Sequence, residues 1–400
     1  MGQKHVGSLR FAQYYSLRIF ARYAEVVRTR KVMIRSILII SAVVLANFVT
    51  AEEITDVSEL TKRLDDGIPK ILEKHKAPGV ALAFVNGNRI AEFRSYGFAD
   101  VATETEITQS TMFNVGSISK LVTSWGAMQL VAQGKVDLDA PINQYLKRWQ
   151  VPNSEFNAKK VTLRNILSHT SGLSLGPYVG WDSREKLSSI VDSLNGDNNG
   201  AGSVELIHAP DTKWSYSGGG YSVVQLLIED VSGMTFEDYM QQNVFEPLNM
   251  KDSTFNITEK IMSKSATPYD DTGKVTGMVY FDAKAAAGLQ TTPIDLARFN
   301  MAVLRNNDGH YIGSTLLPEK LIDLMIKPAP NTNGRWSMSY VVDAENNSLG
   351  FAGFNRGWIA LTRSITDLNF GYVILTNSSI GPVSNEIDSF ILSTIKQKHN

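Results

Sequence analysis

The 400-residue chain has no cysteine, which excludes a disulfide framework, a zinc ribbon and a thiol nucleophile together and leaves the redox compartment open. Net charge is almost absent as well. With 39 Lys+Arg against 40 Asp+Glu there is no basic field to hold a phosphate backbone, so nucleic acid is excluded as a partner. The longest uncharged apolar run, residues 36–51, is 16 residues, short of the roughly 20 that a membrane-spanning helix requires. No internal repeat or low-complexity tract interrupts a composition of 43% hydrophobic and 20% charged residues, which is that of an ordinary globular protein.

The balance of charge conceals an asymmetry. Residues 1–36 carry eight Lys/Arg and one Glu, a net of +7, so residues 37–400 hold 31 basic and 39 acidic side chains, a net of −8. The basic stretch leads into the apolar run, which is flanked by Arg35 and by Glu52 and Glu53, and Val49-Thr50-Ala51 offers small residues at a cleavage position. This is the pattern of a secretory signal, and it predicts an exported body, periplasmic or secreted in a bacterium, cut after Ala51. An uncleaved anchor over 36–51 would leave the body on the same side and would be its only membrane contact. Translation from Met33 would give a more compact signal than residues 1–32 allow.

The body, 52–400, opens with helical spacing at Val57, Leu60, Leu64, Ile68, Ile71 and Leu72. An apolar run over 80–85, the turn dipeptide Asn86-Gly87 and a second run over 90–96 predict an antiparallel hairpin. Residues 114–280 alternate helical periodicity with Gly/Pro/Asn loops. Strand-like runs return at 337–342, 358–362 and 370–375, and a helix carrying Val383, Ile387, Phe390, Ile391 and Ile395 closes the chain. The first and last parts are expected to share one sheet.

Chemistry begins at Ser117-Ile118-Ser119-Lys120. A serine hydroxyl is a poor nucleophile at its free pKa, and a lysine three residues on along a helix lies within reach of its proton. The pattern S-x-x-K occurs three times, at Ser117, Ser183 and Ser393, so context must choose. Ser393 lies in the last turns of the chain and Ser183 beside a Gly/Asn loop. Only Ser117 opens a helix that is apolar nearly all round, with Leu121, Val122, Trp125, Met128, Leu130 and Val131, and a buried helix holds its first-turn side chains rigidly. The bland alternative for the same residues is a capping serine with a snorkelling lysine.

Further blocks extend this motif: Val161 to Leu173 (VTLRNILSHTSGL), Trp214 to Tyr221 (WSYSGGGY), Val244 to Thr254 (VFEPLNMKDST), Ala287 to Phe299 (AGLQTTPIDLARF) and Gly350 to Trp358. In this order they resemble the serine beta-lactamase-related hydrolases of the class C type, a family that includes penicillin-recognising D-peptidases and carboxylesterases. The resemblance implies an α/β, beta-lactamase/transpeptidase-like fold. Its antiparallel sheet, flanked by helices, comes from 52–112 and 281–400, and a mainly helical part comes from 113–280. It also implies that Ser117 is acylated, that Lys120 accepts its proton, and that Tyr216 shares proton transfer with the leaving group. The backbone amides of Ser117 and Phe354 would form the oxyanion hole. The substrate would be a small ester, amide or D-peptide, with no cofactor and no metal.

Two positions depart from the family. The Asn that often follows the tyrosine by two places is Gly218, and the strand motif Lys/His-x-Gly reads Phe351-Ala352-Gly353. The cation that greets a beta-lactam carboxylate is therefore missing, while Gly353 keeps the close backbone approach. Phe351 is expected to wall the site for uncharged acyl groups, and Arg356 either reaches back to an anion or is a solvated turn residue. Two functions stay open: a serine hydrolase with weak or no beta-lactamase activity, or a non-catalytic peptide- or partner-binding protein on the same scaffold. Gly172 to Gly176 matches G-x-S-x-G, but Pro177 follows at once and no strand precedes it, so an α/β-hydrolase elbow is rejected. His169 is read as a structural hydrogen-bonding residue, and His75, His208 and His310 as isolated. Tyr178, Trp181 and Trp214 are read as pocket or packing residues alike.

Overall fold

Apolar side chains three and four positions apart build helix α1 (Ser58–His75), which buries Leu60, Leu64, Ile68, Ile71 and Leu72. The computed structural model describes residues 58–197 and 201–398, so the leader, the cleavage site and the Met33 start lie outside the described residues. The described residues all belong to one compact unit. No helix among the described residues is long and apolar enough to cross a membrane.

The hairpin forms as strands β1 (Gly79–Asn86) and β2 (Arg89–Asp100), with Gly87 in the left-handed conformation that the tight turn needs (φ +55°). Short pieces follow as β3 (Thr105–Glu106), β4 (Phe113–Asn114) and β5 (Gln290–Thr291). The C-terminal part adds β6 (Val341–Asp343), β7 (Ser348–Asn355), β8 (Trp358–Ile365) and β9 (Phe370–Thr376). Seven strands make one antiparallel sheet in the order β3-β2-β1-β9-β8-β7-β6, so the two ends of the chain do share a sheet.

Both faces of that sheet are covered, so β1, β8 and β9 are buried at every position, and β1 and β9 read as nearly continuous apolar runs rather than alternating ones. On one face Val80, Leu82, Phe84, Tyr372 and Ile374 pack against α1 and the last helix. On the other, Ala81, Ala83, Val85, Val373 and Leu375 join the core of the helical part. Each fully buried Leu, Ile or Val contributes about 1.5–3 kcal/mol.

The helices that position the site are α2 (Ile118–Ala132), α3 (Leu163–Leu167), α4 (Gly218–Ser232), α5 (Lys284–Ala287) and α6 (Pro293–Asn300), with α7 (Gly381–Lys398) closing the chain. The strand expected over 337–342 shrinks to β6. Ser339 adopts a left-handed backbone (φ +81°), and its hydroxyl is drawn to Ser124 on α2 and Tyr221 on α4, so residues 337–340 bend instead of joining the sheet.

Candidate active site

Ser117 caps α2 at the end of a tight turn through Val115 and Gly116. The turn is fixed by side chains on both sides. Asn114 Oδ1 accepts the Gly116 amide at 2.9 Å, and the Ser119 hydroxyl donates to Gly116 O at 2.6 Å while accepting the Leu289 amide at 2.9 Å. Behind it α2 is buried almost throughout, with Trp125 edge-on to Phe299 of α6. The half-buried Ser117 is thus presented by a rigid element.

Lys120 is buried one turn along. Its Nζ lies 3.3 Å from Ser117 Oγ and donates to Ala286 O on α5 at 2.7 Å. No carboxylate among the described residues pairs with it, and burial pulls its pKa down to about 7, so a neutral amine able to accept a proton is well populated near neutrality. The Tyr216 hydroxyl donates to Ser117 Oγ at 2.8 Å, and the Lys120 ammonium position is 5.0 Å from the Tyr216 ring centre. Burial pushes the Tyr216 phenol above its ordinary range, with the Ser117 hydrogen bond opposing. Burial thus favours the neutral form of both groups, an amine at Lys120 that can accept a proton and a phenol at Tyr216 that keeps its own.

Tyr216 enters from the loop before α4. The Ser217 hydroxyl accepts the Gly220 amide at 2.8 Å and donates to Ser174 O at 2.7 Å, which caps the helix and ties it to the segment 174–178. That segment explains Gly218. A methyl group there would fall 2.3 Å from Gly176 O and 3.3 Å from the Tyr178 ring, so main chain occupies the space in which the family's Asn side chain would begin. Ser174 itself sits in a loop with its hydroxyl on Ser203 O, unlike a nucleophile elbow.

The strand side is set by Gly353 on β7. A methyl group there would fall 1.9 Å from Val115 O and 2.9 Å from Ser117 N, and one on Gly116 would fall 2.6 Å from Phe354 N. The backbones of the nucleophile turn and of β7 are in direct contact, and the Ser117 and Phe354 amides lie on the adjoining segments. Phe351 departs from expectation. It is 4% exposed and stands edge-on to Trp336, with ring centres 5.5 Å apart, so it packs under the site and is not a wall facing substrate. Ala352 and Phe354 are the exposed residues of this stretch, because alternate residues of a strand face opposite sides. Arg356 is exposed on the β7–β8 turn, where its charge helps to hold Asp182 below the usual carboxylate range, behind the larger effect of Lys186.

Other aromatic candidates divide. Tyr178 is buried with its hydroxyl on Ser222, Trp181 donates to Asp282, and Trp214 joins an aromatic cluster with Tyr216 and Trp336. His75 and His310 lie in pairs with Glu386 and Glu319. One contributor escaped the sequence reading. Ala286 supplies a main-chain carbonyl, for which no side-chain signal exists. His169, expected as a structural hydrogen-bonding residue, accepts the Ser217 amide and lies tilted against the Tyr216 ring with ring centres 4.5 Å apart.

A serine, a lysine and a tyrosine are thus joined by hydrogen bonds at the head of a buried helix on this sheet-and-helix frame. The chain belongs to the beta-lactamase family, whose model matches residues 62–393. It is 26% identical over 258 residues to "Penicillin-binding protein 4*" of Bacillus subtilis, covering 59% of this chain and 54% of that protein. It is 27% identical to "Esterase EstB" of Burkholderia gladioli over 223 residues, 54% of this chain and 56% of the relative. The chain thus spans about half the length of these two relatives. The penicillin-binding protein homologue of Pyrococcus abyssi, an octamer, shares the fold at a TM-score of 0.66 and 21% identity, over 84% of this chain and 76% of that one.

Proposed function

We propose that this protein hydrolyses small uncharged esters or amides through an acyl-enzyme on Ser117. The observation that carries the reading is the hydrogen-bonded set Ser117, Lys120 and Tyr216, with a lysine whose basicity burial lowers far enough for it to work unprotonated. Neutral Lys120 takes the Ser117 proton as Oγ bonds to the substrate carbonyl carbon, and the carbonyl oxygen becomes an anion facing the Ser117 and Phe354 amides. As the carbonyl reforms, the bond to the leaving group breaks and Tyr216 gives that group its proton. The Lys120 ammonium then returns its proton to the Tyr216 phenolate. Water repeats the sequence on the ester and releases the acid.

The substrate choice rests on what stands at the strand position. Relatives with a Lys or His there offer a charge-assisted hydrogen bond to a carboxylate, worth roughly 1.5–3 kcal/mol or about ten- to a hundredfold in rate. Phe351 offers none and is turned into the core. Nitrophenyl butyrate is therefore expected to exceed a chromogenic cephalosporin in kcat/KM, and a fluorophosphonate is expected to label Ser117 and leave Ser117→Ala unlabelled. A faster cephalosporin reaction would sink the substrate assignment; no labelling of the folded protein would make it a binding scaffold.

Export belongs to the same proposal, supported by the charge-flanked apolar run at 36–51. N-terminal sequencing of protein from its native host is expected to begin at Glu52, and full-length chain in the cytosol would refute it.

A further inference from the structure

His169 grips the tyrosine of the site from three directions. Its carbonyl oxygen accepts the Ser215 amide at 2.7 Å, its Nδ1 accepts the Ser217 amide at 3.1 Å, and its ring lies tilted by 34° against the Tyr216 ring between them. One residue thus holds the backbone on both sides of Tyr216 and the face of its ring. The grip needs an unusual backbone, since His169 is left-handed (φ +58°), and this conformation turns the carbonyl and the side chain toward one loop. Trp336, edge-on at 5.4 Å, and Tyr221 at 5.4 Å close the imidazole in, and it is wholly buried.

The bond to Ser217 fixes the chemistry of the ring. An amide N–H can donate only to an unprotonated Nδ1, so the single ring proton sits on Nε2. Nε2 has no hydrogen-bond partner among the described residues, so the imidazole is held by packing and by Nδ1 alone. The titratable and charged groups that face it are Lys120, Tyr216 and Tyr221. Burial first and the Lys120 charge second keep its pKa well below the ordinary histidine range. A second proton would break the Ser217 bond and place a cation beside Lys120.

From this arrangement we infer that His169, as a neutral acceptor, is the positioning residue that aims the Tyr216 hydroxyl at Ser117. It touches neither substrate nor nucleophile and acts wholly through the tyrosine. A histidine that only fills space would have no need of its Nδ1 bond, whereas a positioning residue works through it. The phenol reaches Ser117 Oγ at 2.8 Å, and a small rotation of the 215–217 backbone would carry the hydroxyl out of reach.

The inference rests on the acyl-enzyme reading above, and a double-mutant cycle separates the two. Ser117→Ala that still hydrolyses nitrophenyl butyrate would overturn the acyl-enzyme reading itself. With that control inactive, His169→Ala is expected to lower kcat about 30- to 100-fold with KM changed less than about threefold, because a misaimed proton donor slows chemistry and not binding. In a Tyr216→Phe background the same substitution is expected to cost less than about threefold, since the group it aims is gone. His169→Asn, which tolerates the left-handed backbone and keeps an acceptor near the Nδ1 position, is expected to recover most of kcat. Equal losses from His169→Ala in both backgrounds would overturn the proposal, as would an Asn variant no better than Ala. Where the alanine variant fails to fold, His169→Phe keeps the ring, removes the acceptor and takes its place in the cycle with the same two outcomes.

Discussion

Lys120→Arg is expected to lower kcat/KM on nitrophenyl butyrate by about 10³- to 10⁴-fold, because a guanidinium stays protonated at any working pH and cannot accept the Ser117 proton. The wild-type rate should itself fall about tenfold per pH unit below an apparent pKa near 7, as the Lys120 amine takes up a proton. The same burial has a second consequence. An unfolded lysine is protonated below about 10.4, whereas Lys120 in the folded chain is protonated only below about 7. Between these values unfolding takes up a proton, so stability rises with pH through that window, and the full penalty, on the order of a few kcal/mol, is present below pH 7. Lys120→Met should therefore unfold at a higher temperature than wild type at pH 6–7 while losing activity. The gain should shrink as pH approaches 10. A methionine variant no more stable than wild type at pH 6 would show that Lys120 carries no burial penalty, and an arginine variant at the wild-type rate would remove Lys120 as base.

That trade of stability for chemistry could not be read from the S-x-x-K pattern, which three segments share. The choice of Ser117 was legible because the helix behind it is apolar on every side, and such a helix has to be buried. The outer sheet was legible for the same reason, since runs such as 80–85 and 370–375 are apolar without alternation. Tyr216 depended on resemblance, because nothing in WSYSGGGY marks one of its two tyrosines as the donor. Tyr221 is buried five residues on, with its own partners at Ser124 and Ser339. Phe351 was misplaced because strand residues alternate, and which face meets Trp336 is decided by a bend at 337–340 that depends on Ser339 reaching distant helices. Ala286 was invisible in principle, its contribution being a carbonyl that any residue carries.

Gly353→Ala is the second substitution expected to act strongly, and its effect should fall on catalysis rather than on folding alone. The added methyl would meet Val115 O at 1.9 Å and Ser117 N at 2.9 Å, both backbone atoms, so either β7 or the nucleophile turn must move. Moving β7 carries the Phe354 amide away from Ser117; moving the turn carries Ser117 away from Lys120 and Tyr216. Loss of one oxyanion donor lowers kcat by about 10²- to 10³-fold, and that is the expected range here. Overpacking also costs about 1–3 kcal/mol of stability, so a control on the same strand is needed. Gly350→Ala provides it. Its methyl would fall 2.2 Å from Thr362 O, also backbone, on β8 and away from the nucleophile turn. Both variants should lose comparable thermal stability, while only Gly353→Ala should lose kcat by two orders of magnitude with nitrophenyl butyrate at a temperature where both are folded. If the two lose activity equally, or if Gly353→Ala keeps kcat within threefold, contact between β7 and the nucleophile turn is a packing feature and the anion is held elsewhere.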